Sequence, residues 1–238
     1  MFYLPLAISS IGVVLYGQYP SPPCCKIMYI LKHYGVKYTS VTSKKKGSKY
    51  NKIPVLVIGD KQINDSQIIA TILANVLDVP YSESELKMEN LSTSGLMIAL
   101  ELAVAEDTAE LQKCGCAMGG CMGCSLWTIA CCIPCCGLGA PMRKKNPDLK
   151  SSSAYGKDYA ELLSSKTFFH GDTAGIIDCS IFGLLSPFRK AKNQAYTDFV
   201  GADSRLLDWV GRMDSLESNL PLVSAIQTQP AASTMHAN

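Results

Sequence analysis

The stretch KIPVLVIGDKQINDSQIIATILANVL, Lys52 to Leu77, decides how this chain folds. Ile53 to Asn64 reads as two strands joined at Gly59-Asp60, a β-turn dipeptide in a hairpin. Asp65 then opens a helix. Ile68, Ile69, Ile72, Leu73 and Val76 fall on one apolar stripe of it. Upstream, LYGQYPSPPCCKIMYIL (Leu15 to Leu31) reads as a strand, a Pro-rich turn and a helix. The first strand is expected over Ile11 to Tyr16, a β-branched run suited to burial on both faces. In the helix, Cys24, Ile27, Leu31 and Tyr34 keep helical spacing, with Ile30 on the same face. Pro22 suits its first turn, and Gly35 ends it. A second strand follows in VKYTSVT, then a basic loop, SKKKGSKYNK.

The order is therefore β-α-β-loop-β-β-α over residues 11–78. The polar run 79–90 reads as a linker. Residues 91–218 read as a helical unit, with helices over 91–112, 153–165, 176–190 and 203–217. A chain of 238 residues can bury a sizeable core. Its formal charge of +2 gives no electrostatic argument for nucleic acid as a partner. The apolar start lacks a basic residue before its apolar run and a convincing cleavage site, which argues against a cleaved signal peptide.

Three of the eleven cysteines are Cys24, Cys25 and Cys179; the rest crowd between Cys114 and Cys136. Adjacent pairs and an odd total fit a reducing compartment better than a secreted disulfide scaffold. The uncharged stretch 114–142 has three readings. Cys121-x-x-Cys124 and Cys132-x-x-Cys135 have zinc-like spacing; against this, extra cysteines abound and no polar scaffold surrounds them, so no metal is assigned. Cysteine pairs followed by Arg143-Lys144-Lys145 suit lipidation or interfacial membrane contact. The third reading is a packed helical pair, with Cys as a small hydrophobe.

Two short motifs resemble the glutathione S-transferase superfamily. Lys52 to Ile58 places Pro54 where that family has a cis-proline. Asn64 to Ile69 places Asp65-Ser66 where it has an acidic-Ser pair at a helix start. Within the superfamily, Leu15-Tyr16, Lys52 to Val57, Asn64 to Ile69, Phe168 to Leu185 and Leu206 to Ser218 most resemble the membrane-associated prostaglandin E synthase type 2 family. The resemblance implies a thioredoxin-like α/β N-terminal domain followed by an all-α C-terminal domain. It implies glutathione as cofactor, an apolar lipid-like substrate, and a cytoplasmic, membrane-associated location at the Golgi, another endomembrane or the mitochondrion. A homodimer is compatible with it. It matches Asp178 to a buried Asp that satisfies backbone N–H groups at the start of a core helix.

Carried onto this sequence, the resemblance assigns catalysis to Ser21 and, more weakly, Cys24. It assigns glutathione contacts to Gln18, Tyr19, Ile53, Pro54, Asp65 and Ser66. The family's nucleophilic Cys falls on Ser21, so the motif reads Ser21-Pro22-Pro23-Cys24 and dithiol exchange is disfavoured. Ser21 would donate to the glutathione sulfur and lower its pKa; alternatively it is a helix N-cap. Cys24 lies on the apolar stripe, which favours packing. Cys25 is one helical step away and is expected to be more exposed. Asp65 and Ser66 are also ordinary helix-start residues. Lys44, Lys45, Lys46, Lys49 and Lys52 form a solvated loop or attract an anion such as glutathione, a fatty-acid carboxylate or a lipid head group. A non-catalytic, membrane-associated thioredoxin-fold binding module is the alternative function.

Overall fold

In a computed structural model, the chain is described over residues 11–107, 110, 139–219 and 226–227. Strand β1 is Val13–Tyr16, helix α1 Pro22–His33, β2 Thr39–Val41, β3 Val55–Ile58, β4 Lys61–Asn64 and α2 Ser66–Val76. The order is the one the sequence predicts. The first strand starts two residues later than expected, after Gly12 at φ +86°. Strand β1 pairs parallel with β2 and antiparallel with β3, and β3 pairs antiparallel with β4. A short fifth strand, β5 (Ile226–Gln227), runs parallel to β2 at the sheet edge. The sheet contributes Val13, Leu15 and Leu56 to one core with Ile27, Ile30 and Leu31 of α1 and Ile69, Ala70, Leu73 and Ala74 of α2.

Two expectations about these helices are corrected. The buried face of α2 is Ser66, Ile69, Ala70, Leu73 and Ala74; Ile68 is 54% exposed and Val76 lies at the surface. Small Ala70 and Ala74 let α2 lie close on the sheet, which turns the bulkier Ile68 outward. Cys25 is buried, not exposed. Helix α1 is covered on both sides, by the sheet and by a long second-unit helix, so it buries more than one stripe.

The helical unit comprises α3 (Glu83–Leu91), a π-helical turn (Ser92–Leu96), α4 (Met97–Glu106), α5 (Gly139–Lys145), α6 (Ser152–Leu163), α7 (Ile176–Lys190), α8 (Gln194–Val200) and α9 (Ser204–Asn219). Helix α3 stands where a linker is expected. Its start is a capping box: Glu85 N–H donates to Ser82 Oγ at 3.3 Å, and Ser82 N–H donates to Glu85 Oε2 at 2.8 Å. Burial alone would push the Glu85 carboxyl up, but hydrogen bonds from Ser82 and His170 outweigh it and hold it below the usual range.

Helix α7 is the axis of the molecule, buried along nearly its whole length. Asp178, fully buried, accepts from the backbone N–H groups of Phe169, His170 and Gly175 and from Trp209 Nε1. This is the role the resemblance implies for it. Burial pushes the Asp178 carboxyl up, and these four donors pull against that. Gly175 has no room for a capping side chain, because a Cβ there would strike the His170 ring.

Helix α7 runs antiparallel to α1. His33 lies near Ala174 at one end, and the Lys190 ammonium lies 4.9 Å from the Tyr19 ring centroid at the other. At the crossing, a Cβ on Gly183 would lie 2.8 Å from Cys25 O and Lys26 Cα, so only Gly allows this approach. Beside it, Lys26 of α1 is fully buried against Glu89 of α3, and Ser180 of α7 donates to the same carboxylate. Thr93 in the π-helical turn completes the shell, accepting from Lys26 Nζ at 3.1 Å. Replacing Lys26 with Met would leave Glu89 charged and buried. We expect a loss of about 3–5 kcal/mol in urea unfolding, with part of it restored by adding Glu89→Leu.

Candidate functional site

Strand register gathers the candidate residues at one end of the sheet. Tyr16, the last residue of β1, pairs with Val55, the first of β3, and Val55 pairs with Asn64, the last of β4. On its other side Tyr16 pairs with Val41, the last residue of β2. Four segments therefore leave the sheet at the same end: Gly17 to Ser21, the basic loop after Val41, Ile53-Pro54, and Asp65-Ser66. They also touch. An added Gly17 Cβ would lie 2.7 Å from Cys24 Sγ and 3.8 Å from Pro54 Cβ. The Ile53–Pro54 peptide is cis, as the resemblance implies, and so is Tyr19–Pro20.

At the α1 entrance, Ser21 is the N-cap residue but its side chain caps nothing. The reason lies in the next four residues. Pro22 and Pro23 have no N–H to offer. The N–H groups of Cys24 and Cys25 both donate to Ser21 O at 2.9 Å. No first-turn donor is left for the hydroxyl to satisfy. The Ser21 hydroxyl and the Gln18 backbone N–H lie near the Cys24 sulfur and favour its thiolate. Burial still dominates and pushes the Cys24 thiol up. Cys24 is fully buried, which is the packing role and opposes the weaker catalytic one. Burial and the neighbouring Cys24 push Cys25 up to about 12, against a partial offset from Lys190.

At the α2 entrance, Asp65 adopts φ +74° and ψ 128°, a region non-Gly residues avoid. Its carboxylate accepts from Gln67 N–H at 2.9 Å, capping the helix. Ser66 next to it is 5% exposed. Among the described residues its hydroxyl has no hydrogen-bond partner. A hydroxyl at a helix start, near the positive end of the helix dipole, is suited to an anion such as a carboxylate. Neither the strain at Asp65 nor the unpartnered Ser66 can be read from residue type alone.

Tyr50 is a site residue that sequence reasoning missed. Its backbone N–H donates to Ser48 Oγ at 3.1 Å. Ser48 Oγ also accepts from Gln62 Nε2 at 2.7 Å, and Gln62 Nε2 lies 2.8 Å from Asn64 Oδ1. The basic loop is thus tied to β4 just before Asp65. The Tyr50 phenol lies close enough to Asp65 to feel its charge. Burial, then the Asp65 carboxylate, push the phenol up, so it keeps its proton. In the same loop, Lys44 donates to Asn51 at 3.0 Å, and Lys44, Lys46, Lys49 and Lys52 are exposed. Tyr19 is half-buried under Lys190, and Gln18 is exposed at the mouth.

The cysteine-rich residues 114–138, with their zinc, membrane and packing readings, lie outside the described residues. Among the described residues no helix is long and apolar enough to cross a membrane, and no cluster of His, Cys, Asp and Glu could hold a metal ion. The described thiols give a direct check. At pH 8, Cys25 carries roughly one thiolate in ten thousand molecules. Alkylation followed by peptide mapping should leave Cys24, Cys25 and Cys179 unmodified in the folded protein. The rate at Cys25 should rise about tenfold per pH unit. Rapid labelling of Cys24 at neutral pH would contradict its burial.

No protein-family model matches the chain, and none of the curated proteins does so significantly. Solved structures do. A glutathione S-transferase of Ceriporiopsis subvermispora in complex with glutathione is 17% identical, with 93% of this chain and 100% of that one covered and a TM-score of 0.57. A Tau class glutathione S-transferase from mango, Mangifera indica, is 19% identical over 89% of this chain and 94% of its own, with a TM-score of 0.54. Glutathione transferase F7 from Populus trichocarpa is 14% identical over 85% and 93%, with a TM-score of 0.55. Nothing in these likenesses supports the narrower resemblance to prostaglandin E synthase type 2. The chain has the glutathione S-transferase fold, a thioredoxin-like sheet unit followed by a helical unit.

Proposed function

We propose that the protein is a glutathione-dependent transferase or isomerase that acts on an apolar, lipid-like electrophile. The carrying observation is the α2 entrance, where Ser66, 5% exposed, stands at the helix start beside the strained Asp65. Glutathione fits there by chemistry. The helix start and Ser66 suit its γ-glutamyl carboxylate, and the Asp65 carboxylate suits its ammonium. The backbone of Ile53 would hold its middle. Gln18 and Tyr19 would border it near the α1 entrance. When bound, glutathione supplies the thiol that reacts.

Ser21 is the group of this chain placed to act on that thiol. With Pro22 and Pro23 lacking N–H groups, α1 offers an incoming sulfur its dipole and the Ser21 hydroxyl. Cys24 stays protonated in the core. The isomerase and lipid-substrate parts of this reading, and a membrane contact through 114–142, rest on the narrower family resemblance. A homodimer rests on the same ground.

The same two prolines favour a second reading, a glutathione-binding module without turnover. A helix entrance with so few donors activates a thiol weakly. Calorimetry on the whole chain tests both. Wild type should bind glutathione at micromolar to millimolar concentration, and Asp65→Ala with Ser66→Ala should weaken binding at least tenfold. Conjugation of a chlorodinitrobenzene electrophile should fall about a hundredfold in Ser21→Ala, with affinity little changed. Binding without turnover in wild type would select the module. No binding by folded protein would overturn both readings.

A further inference from the structure

We infer that Lys190, at the end of α7, supplies the positive charge that stabilises a thiolate at the α1 entrance. The inference rests on the glutathione reading above and adds a residue of the helical unit that neither motif contains. It stands first on what the α1 entrance lacks. An anion at a helix start is ordinarily held by free first-turn N–H groups. Here Pro22 and Pro23 have no N–H, and those of Cys24 and Cys25 both donate to Ser21 O at 2.9 Å. The Ser21 hydroxyl gives one hydrogen bond but carries no charge.

Its second support is where the ammonium lies. Gln18 to Ser21 form a tight turn, closed by Ser21 N–H donating to Gln18 O at 3.0 Å. Tyr19 is inside that turn, two residues before the α1 N-cap, and Lys190 Nζ is 4.9 Å from its ring centroid. The aromatic face attracts the ammonium and holds it there. Among the described residues no carboxylate pairs with Lys190, so its charge is not neutralised. The end of a helix carries partial negative charge, and Lys190 in the last turn of α7 reverses that sign beside the entrance. The same charge reaches the first turn of α1, where it favours the Cys25 thiolate. Cys24, Cys25 and Tyr38 around this turn are kept neutral by burial. From the sheet side, Asp65 and the lysines of the basic loop face the same opening, so only a substitution at 190 isolates this charge. On ionisation the thiol proton leaves to water, and Lys190 lowers the energy of the sulfur anion left behind.

The test places a reporter thiol at the entrance of the whole chain, under reducing conditions. In Ser21→Cys, iodoacetamide labelling of the peptide containing residue 21 is followed against pH. Adding Lys190→Gln should raise the midpoint of that profile by about half to one pH unit, and adding Lys190→Arg should leave it near that of Ser21→Cys alone. In the otherwise wild-type protein, Lys190→Gln should lower kcat/KM for glutathione with chlorodinitrobenzene about three- to tenfold near neutral pH, with calorimetric affinity for glutathione little changed. Thermal unfolding should stay close to wild type, since Lys190 is exposed. An unmoved midpoint with Lys190→Gln would overturn the inference. Equal shifts with Lys190→Gln and Lys190→Arg would overturn it too, by showing that packing and not charge is at work. Wild type that binds no glutathione would instead overturn the glutathione reading, while the labelling profile would still decide whether Lys190 sets the field at the entrance.

Discussion

Helix α7 lies against α1 so closely that one position, Gly183, must lack a side chain, and the candidate site follows from that contact. The seam joins the sheet unit to the helical unit. On one side of Gly183 is the buried Lys26–Glu89 pair with Ser180; on the other, Tyr29 packs edge-on to Phe182 at 4.9 Å. A buried ion pair costs desolvation, so it tolerates few alternative arrangements. Here it fixes α1 in rotation. That rotation buries Cys24 and Cys25 and leaves Ser21 at the open end. Asp178 sets the other end of α7 by collecting four N–H donors, so the long helix cannot slide.

The sheet does the rest of the positioning. Because Tyr16, Val41, Val55 and Asn64 lie in line across four strands, every loop at that end converges. The loops themselves are short or tied down. Pro54 packs near Gly17 and Cys24, and Tyr50 is held through Ser48 and Gln62. The result is two helix entrances facing one opening, with different equipment. The α2 entrance has a strained Asp65 and an unpartnered Ser66. The α1 entrance has had its amides removed or satisfied, and carries a single hydroxyl, that of Ser21.

What was legible in the sequence was local. The Gly59-Asp60 turn, the Asp65 helix start, Pro54 and the ordering of strands depend on neighbours a few residues apart. Asp178 and Pro54 were placed by the resemblance rather than by pattern. Helix α3 was hidden because its composition is polar; Ser82-x-x-Glu85 was the available signal, and burial of Glu85 and Glu89 depends on distant partners. Lys26 reads as a surface lysine, and its partner Glu89 is 63 residues away. The α2 stripe was misjudged because Ala70 and Ala74, not Ile68 and Val76, face the sheet. Tyr50 lies inside a lysine-rich loop, where charge dominates the composition but hydrogen bonding through Ser48 fixes the geometry.

The central claim is that glutathione binds where the four loops meet, held chiefly at the α2 start. The most direct measurement is an amide chemical-shift titration of the isotope-labelled protein with glutathione. The account predicts saturable shifts at Gln18, Ile53, Asp65 and Ser66 along one binding curve, with Asp65 and Ser66 moving most. Shifts confined to other surfaces, or none at millimolar glutathione, would contradict it.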